Sequence, residues 1–337
     1  MSGDTETTTH FSNVADIIEP DQEKGITNPT AIEIIGVTFL RMYHLSLVQD
    51  SVLVPSAVPK DFSAYMQQVL GFTPNLIPTE LRMPHLTSDL LRALNSQSPE
   101  GLGRLNPYIQ SPTIAQYAID RGLPMAYTPA EVIVDQGLMR LLDDKRYFRK
   151  TVMELGHPML PQREYNITSS EDDASALSRI EETIKEHGGA FVQTNRSGGG
   201  EGNLDIKYVS ETDTWRSAKL AEHGEEYAVF NSWEDAKGGI SMFIAEGREL
   251  GSDYLLVTPY FDEIEDTPTV NGFVPPIGQG EPVIYGRFAQ VVQPGSNAYL
   301  GFEYDANADH IISDQELYCR TMAWFKHIQQ LGYVGCA

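Results

Sequence analysis

The sequence predicts an α/β protein with a smaller first domain and a larger second one. In the first half, short apolar runs of strand length alternate with segments whose apolar residues recur at helical spacing. In the second half, a strand leads into a glycine-rich turn. The chain has 337 residues, of which 41% are hydrophobic, so it can fill more than one core.

The charge balance limits the classes of partner. Asp and Glu number 47 against 24 Lys and Arg, a net charge of -23 that repels nucleic acid and anionic membranes. A nucleotide can still bind where backbone N–H groups and a few cations offset this field. The two cysteines suggest no disulfide framework, and no apolar run is long enough to cross a bilayer. We therefore expect a soluble, cytoplasmic protein.

The first domain is expected to contain a parallel sheet covered by helices. Residues 1–25 are polar and acidic and are interpreted as a flexible tail, so that the domain comprises residues 26–130. Residues 51–55 form a β run closed by proline, and residues 61–70 have helical spacing with Gly71 as the C-cap. Further helices are predicted at residues 86–94, 113–121 and 138–155, with a loop at 99–112 and a domain boundary within 126–135.

The second domain, residues 131–337, has shorter elements separated by acidic and glycine-rich loops. A long amphipathic helix is predicted at residues 314–331, where Gly332 ends it. Strands are predicted at residues 191–192, 227–230, 242–244 and 254–257, and a further β segment at 299–304.

The most informative segment is residues 191–203, a strand that runs into consecutive glycines. Glycine allows positive φ and leaves no Cβ between the backbone N–H groups and an anion, which suits a di- or triphosphate. The Gly-Lys-Ser/Thr ending of a Walker A loop is absent, and no helix-opening GxGxxG turn is present. A flexible hairpin without a ligand is the alternative interpretation.

Two flanking segments give this loop a context. Upstream, Asp144-Lys145 opens a helical segment that ends in Gly156, followed by Pro158 and Pro161. Downstream, residues 254–261 form a strand, followed by Thr-Pro-Thr-Val at 267–270. In this order the segments resemble the ATP-grasp superfamily. The residues of the glycine-rich segment and of 267–270 are most similar to those of the pheganomycin-type peptide ligase branch. The resemblance extends from about residue 138 to the C-terminus and implies a pre-ATP-grasp domain before it, with the lid at about 157–257.

The resemblance implies a role for several residues. Lys145 would contact phosphate, while the carbonyl of Pro259 and the N–H of Phe261 would hold adenine from a hinge strand. The alternatives are an ordinary solvent-facing lysine and the end of a core strand. The lid over the phosphates would contain Ser197, Gly198, Gly199, Gly200 and Gly202.

The sequence departs from the family pattern in two places. Gln193 stands where the family places a lysine before the lid, and Arg196 and Lys207 are the candidate replacements. The turn at residues 331–337 matches the one that leads, in the family, into strands bearing acidic Mg²⁺ ligands. The expectation is a grasp domain that lacks its C-terminal part, either as a truncated chain or as a pseudo-enzyme, and the metal ligands are unknown.

The resemblance implies an ATP-dependent carboxylate–amine ligase with ATP and Mg²⁺ as cofactors and an acyl-phosphate intermediate. Arg287 would stabilise that intermediate, and a surface arginine paired with an acid is the alternative. The substrates would be a small-molecule carboxylate and an amine, either amino acids or peptides, and a homodimer is left open. One alternative function is a catalytically impaired ATP-grasp-like nucleotide-binding or scaffold protein, and another is an α/β binding protein whose glycine-rich loop is only a hairpin.

Overall fold

The computed structural model contains two compact units. The first comprises Met1–Met139 with Gln330–Gly335, and the second Arg140–Gln329 with Cys336–Ala337. The predicted domain boundary at 126–135 lies a few residues before this division. The structure describes residues 7–13, 42, 46–55, 60–79, 87–160, 162–195, 202–221, 227–249, 251–261, 268–292, 299–304 and 315–337.

The first unit is built on a four-stranded parallel sheet of order β3-β2-β1-β4, as the sequence predicts. The strands are short; β1, β2 and β4 are largely buried and the edge strand β3 is more exposed, and the helices supply most of the apolar side chains of the core. The strands are β1 (Thr8–Phe11), β2 (Ser51–Pro55), β3 (Asn75–Thr79) and β4 (Arg104–Pro107), and the helices are α1 (Lys60–Leu70), α2 (Thr87–Asn95), α3 (Pro99–Leu102), α4 (Pro112–Arg121) and α5 (Ala130–Asp135).

Two predictions for the first unit are wrong. Thr8–Phe11, inside the predicted tail, is a buried strand paired on both edges. Its polar side chains conceal it in the sequence. Two of them are buried with hydrogen-bond partners, since Thr9 Oγ1 donates to the Leu102 carbonyl at 2.5 Å and His10 Nε2 lies 3.0 Å from Asp50 Oδ2. The predicted loop at 99–112 contains α3 and β4, which are too short for a periodic signal.

Two helices are present where the sequence predicts one across 138–155, and the division between the units falls within the first of them. They are α6 (Leu138–Leu142) and α7 (Lys145–Glu154). The break occurs because Asp144 is extended and its carboxylate accepts from the N–H groups of Arg146 and Tyr147, at 2.8 and 3.3 Å. This is an N-cap, and it fixes the start of α7 at Lys145.

A six-stranded sheet of order β5-β10-β6-β7-β8-β9 follows, with every described pairing antiparallel. Two helices cover one face and share a core with the three central strands. The elements are β5 (Arg163–Asn166), α8 (Asp173–His187), β6 (Gly189–Thr194), β7 (Asn203–Val209), β8 (Thr214–Ser217), β9 (Ala228–Phe230), α9 (Trp233–Glu249) and β10 (Tyr254–Pro259).

The strand predicted at 242–244 is wrong, because these residues lie inside α9. A run of three apolar residues does not distinguish a strand from a helix. The buried positions Ile240, Phe243, Ile244 and Gly247 recur at helical spacing, which settles the assignment. The strands predicted at 191–192, 227–230 and 254–257 are confirmed within one or two residues.

A further four-stranded sheet has the order β13-β12-β11-β14, of which β11, β12 and β13 lie in the second unit. The predicted long helix, α10 (Gln315–Gln330), packs on it, since a Cβ at Gly272 would collide with the ring of Phe325. Among the described helices, none combines the length and apolarity needed to cross a membrane. The strands are β11 (Pro268–Val274), β12 (Val283–Val292), β13 (Tyr299–Tyr304) and β14 (Gly335–Cys336).

Candidate functional site

The glycine-rich segment is the connection between the antiparallel strands β6 and β7. At its base, the N–H of Thr194 donates to the carbonyl of Gly202 at 2.9 Å, and Gln193 lies opposite Asn203. Gly202 therefore closes the hairpin. The other predicted lid residues, Ser197, Gly198, Gly199 and Gly200, lie outside the described residues.

Asn195 joins this base to two other segments. Its side-chain amide donates to Asp253 Oδ1 at 2.8 Å and to Asp144 Oδ2 at 3.4 Å. Its side-chain oxygen accepts from the N–H groups of Asp253 and Tyr254, at 3.2 and 3.1 Å. Asn195 is fully buried, so the end of β6 is fixed against the start of β10 and the N-cap of α7.

Lys145 lies at the same base. Its ammonium Nζ donates to the carbonyl of Thr194 at 3.0 Å, and its own N–H donates to the carbonyl of Asn195 at 3.1 Å. Burial lowers the pKa of Lys145 from its ordinary value, and the carboxylates of Asp143 and Asp144 oppose that shift. The predicted phosphate ligand is thus a partly buried cation beside the glycine-rich connection.

Arg146 follows directly and covers the ring of Tyr254, with the guanidinium carbon 3.8 Å from the ring centroid. One of its terminal nitrogens lies 3.7 Å from Asp144 Oδ2. The sequence did not show that Asp144 and Asp253 are joined through Asn195, and it did not single out Arg146. Only Asp144 carries a local signal, that of a helix N-cap, because the other three act through contacts distant in sequence.

The two faces of the six-stranded sheet differ. Ala190, Val192, Leu255 and Val257 belong to the core beneath α8 and α9. Alternation places the residues between them on the opposite face. That face carries Gln193 opposite Leu256 and Phe191 opposite Thr258, and Gln193 Nε2 donates to Asn203 Oδ1 at 2.9 Å. Gln193 therefore faces away from the helices, as the site prediction needs.

The predicted hinge lies at the other end of the strand pair. The N–H of Tyr260 donates to the carbonyl of Gly189 at 3.1 Å, so the main-chain groups of Pro259 and Phe261 point away from β6. On that side, the described pairing with β5 ends at Val257. The Pro259 carbonyl and the Phe261 N–H thus share one edge, beyond the paired stretch.

The hinge and the glycine-rich connection are separated along one pair of strands. Thr194 lies opposite Leu255 and Ala190 lies opposite Pro259. Four residues of extended chain span about 13 Å. A long ligand placed along this face would reach both ends.

Lys207 lies at the hinge end of this pair and not beside the connection. It is opposite Gly189, and its ammonium group is 4.0 Å from the centroid of the Tyr260 ring. The idea that Lys207 replaces the missing strand lysine next to the loop is therefore wrong. The other candidate, Arg196, lies outside the described residues.

Arg287 lies in the further four-stranded sheet, on β12 opposite Val270 of β11. Its role at an acyl-phosphate stays a prediction. In the part of the chain that the structure describes, no group of three or more His, Cys, Asp or Glu residues could hold a metal ion.

Comparison with known proteins gives structural likenesses alone, because no family model and no curated protein match the sequence. The biotin carboxylase–beta-gamma-ATP complex from Campylobacter jejuni has a TM-score of 0.54 at 13% identity, covering 98% of this chain and 61% of that one. The biotin carboxylase domain dimer of the Hydrogenobacter thermophilus 2-oxoglutarate carboxylase, in complex with MgADP, ADP and bicarbonate, has a TM-score of 0.50 at 12% identity, with coverages of 98% and 60%.

These two proteins are ATP-grasp enzymes, and the likeness confirms the predicted α/β, ATP-grasp-like fold. The chain spans about three fifths of the length of both structures, which are covered to 61% and 60%. At identities of 13% and 12% the comparison establishes the fold, and the chemistry has to be argued from the residues.

Proposed function

We propose that this protein binds ATP along the face of the six-stranded sheet opposite α8 and α9. The carbonyl of Pro259 and the N–H of Phe261 hold the adenine, and the phosphates extend toward Lys145 and the connection that ends at Gly202. In this proposal residues 131–337 are the ATP-grasp-like domain, with the lid at about 157–257, and residues 26–130 are the pre-ATP-grasp domain.

One observation carries the proposal, namely that the hinge and the glycine-rich connection occupy opposite ends of β6 and β10. The strands are paired from Thr194–Leu255 to Ala190–Pro259. At the Pro259 end, a main-chain carbonyl and a main-chain N–H are suited to hydrogen bonds with a base. At the Thr194 end, the Lys145 cation lies beside the glycine-rich connection and is suited to phosphate. Both structural neighbours are complexes with an adenine nucleotide.

The reaction that we propose is the joining of a carboxylate to an amine. A substrate carboxylate oxygen attacks the γ-phosphorus of ATP, a new P–O bond forms and ADP leaves. The amine nitrogen then attacks the acyl carbon of the acyl-phosphate, phosphate leaves, and loss of a proton gives the amide. A lid closed over both reactants would orient them and exclude the water that would hydrolyse the intermediate. Amino acids or peptides are the proposed substrates, as in the pheganomycin-type branch.

Mg²⁺ is the expected companion of the nucleotide, because it neutralises phosphate charge when bound. Two carboxylates stand near the glycine-rich connection, Asp144 and Asp253, and both accept hydrogen bonds from the amide of Asn195. The described residues include no cluster of three or more metal-ligating side chains.

Gln193 favours a second candidate function, an ATP-grasp-like protein that binds nucleotide without turnover. Its amide is hydrogen-bonded to Asn203 on the sheet face that we propose for the nucleotide. A lysine at this position would place a cation there. A neutral amide supports a phosphate less than an ammonium group does, because hydrogen bonds with an ionised partner are about twice as strong as neutral ones.

Thermal unfolding of the 337-residue chain with ATP or ADP, with and without MgCl₂, tests the binding. Tryptophan fluorescence reports on the second unit, since Trp215, Trp233 and Trp324 all lie in it. A ligand that binds only the native state raises the midpoint by mass action, so a midpoint that stays constant up to millimolar nucleotide would refute the proposal.

The chemistry is tested by ADP release with pools of amino acids, and by hydroxylamine, which converts an acyl-phosphate into a hydroxamate. We expect ADP release that requires a carboxylate, and hydroxamate in the presence of the trap. Nucleotide binding without either product would support the second candidate function.

A further inference from the structure

We infer that Asn195 is a positioning residue that fixes the start of the glycine-rich connection, so that Lys145 is held beside the phosphates. The inference rests on the proposed nucleotide site and adds a residue to it. Asn195 need not touch the nucleotide, because its side chain is turned into the protein and fully buried.

The side chain of Asn195 uses both of its polar ends. The amide nitrogen donates to the carboxylates of Asp253 and Asp144, at 2.8 and 3.4 Å. The carbonyl oxygen accepts two main-chain N–H groups, those of Asp253 and Tyr254. An amide alone combines two donors with an acceptor in this shape, which neither aspartate nor leucine reproduces.

The main chain of Asn195 extends the same arrangement. Its N–H donates to the carbonyl of Tyr254 at 3.2 Å, and its carbonyl accepts from the N–H of Lys145 at 3.1 Å. Four side-chain and two main-chain hydrogen bonds thus join β6 to β10 and to the N-terminus of α7. Buried networks of this kind specify one geometry when every member is satisfied.

This arrangement determines where the Lys145 cation lies. Thr194, the last residue of β6, precedes Asn195, and its carbonyl accepts a hydrogen bond from the Lys145 ammonium group at 3.0 Å. Asp144, which caps α7, is also an acceptor of the Asn195 amide, so a displaced Asn195 would release both the cap and the strand end. The hinge at Pro259 lies at the other end of the strand pair and should be spared.

Substitution of the amide by a carboxylate makes a sharp test. Asn195→Asp keeps the shape and the acceptor oxygen but places a third carboxylate between Asp144 and Asp253 and removes the donor. The charged groups facing it are these two carboxylates with Lys145 and Arg146 from α7. Asn13→Asp is the matched control, because Asn13 is a buried asparagine of the first unit whose amide donates to the Ile109 carbonyl and accepts the Ile109 N–H, both at 2.7 Å.

The readout is the ratio of two dissociation constants, for adenosine and for ADP, measured by titration calorimetry on the whole chain. We expect Asn195→Asp to weaken ADP binding by about tenfold or more and adenosine binding by less than about threefold. Asn13→Asp should leave the ratio unchanged. A purely structural role would weaken both ligands equally, so an unchanged ratio in Asn195→Asp overturns the inference.

A second variant keeps the test decisive if Asn195→Asp does not fold. Asp253→Ala removes the acceptor at 2.8 Å and leaves the one at 3.4 Å, so the adenosine-to-ADP ratio should move in the same direction by a smaller factor. A ratio equal to that of the wild-type chain would overturn the inference. If the wild-type chain itself does not bind ADP, the proposed function fails and this inference fails with it, whereas wild-type binding with an unaltered ratio in the variants refutes only the positioning role.

Discussion

The ammonium nitrogen of Lys145 lies 3.0 Å from the carbonyl oxygen of Thr194, the last residue of β6. The contact joins the first residue of α7 to the strand that enters the glycine-rich connection. Burial lowers the pKa of this lysine, and the neighbouring carboxylates of Asp143 and Asp144 act in the opposite direction. A cation whose hydration is already reduced is suited to exchanging a carbonyl partner for a phosphate oxygen.

Replacement of Lys145 by methionine should weaken ADP and ATP binding by about 10- to 100-fold, the value of one charge-assisted hydrogen bond. Adenosine binding should change little, because the hinge is about 13 Å away along the strands. Titration calorimetry with the three ligands measures this. Lys150→Met is the control, since Lys150 is an exposed lysine on the same helix, 3.9 Å from Glu154. Equal losses in the two variants would contradict the assignment of Lys145 to the phosphates.

Replacement of Gln193 by lysine should strengthen ATP binding by about tenfold or more, since it places a cation on the nucleotide face next to the hairpin. The substitution gives up the hydrogen bond from Gln193 to Asn203, a neutral amide pair across two strands. Competition between ATP and a fluorescent nucleotide is the measurement.

Gln116→Lys is the matched control for added charge. Gln116 is exposed on α4 of the first unit and donates to Asp120 Oδ1 at 2.9 Å, a partner that a lysine also suits. If Gln193→Lys and Gln116→Lys change the affinity equally, the effect is one of net charge and the placement of Gln193 at the phosphates is wrong.

The sequence predicted those parts of the fold whose signal is local. The strands β6 and β10 are apolar runs of strand length, and α10 has an apolar face at helical spacing, so all three were found. The strand Thr8–Phe11 was missed, because its Thr-Thr-His side chains are polar and their burial depends on partners tens of residues away. Local pattern does not reveal such partners.

The site shows the same limit. Lys145, Pro259 and Phe261 were proposed because a family resemblance supplied their order along the chain, and the structure places the lysine and the hinge pair at the two ends of one strand pair. Asn195 was not singled out within the glycine-rich segment. Its partners lie 51 and 58 residues away, so only the folded chain shows that they meet.

The buried trio of His10, Asp50 and Asn106 predicts how the first unit responds to pH. The Asn106 amide donates to Nδ1 of His10 at 2.8 Å, so Nε2 carries the proton and donates to Asp50 Oδ2 at 3.0 Å. Burial lowers the pKa of His10, and this outweighs the opposing hydrogen bond and charge of Asp50. The folded state therefore binds the proton less readily than the unfolded state, whose histidine pKa is about 6.5.

The free energy of unfolding of the first unit should accordingly be highest above about pH 6.5 and should fall as the pH is lowered through that value. Hydrogen exchange of the β1, β2 and β4 amides between pH 5 and pH 7.5, corrected for intrinsic rates, measures it. His10→Gln should reduce this pH dependence, while His187→Gln, at an exposed histidine of the second unit, should retain it. Protection that rises toward acid pH in the wild-type chain would refute the neutral, buried state of His10.

Two glycines of α9 predict opposite effects of the same substitution. Gly247 is buried where α9 crosses β6, and a Cβ there would collide with Cγ2 of Thr194. Gly238 lies on the exposed side of the same helix, with no atom within 4 Å of the Cβ position. Alanine is a better helix former than glycine by about 1 kcal/mol, so the surroundings decide the sign in each case.

Gly238→Ala should raise the free energy of unfolding of the second unit by up to about 1 kcal/mol, because it adds helix propensity without a clash. Gly247→Ala should lower it by about 1–3 kcal/mol, because overpacking forces Thr194 or the helix to shift. Urea unfolding followed by tryptophan fluorescence measures both. Thr194 ends the strand that carries the Lys145 contact, so Gly247→Ala should also weaken ADP binding. If the double variant Gly247→Ala with Thr194→Ser, which lacks the colliding methyl group, is no more stable than Gly247→Ala alone, then the packing of α9 does not position this end of β6.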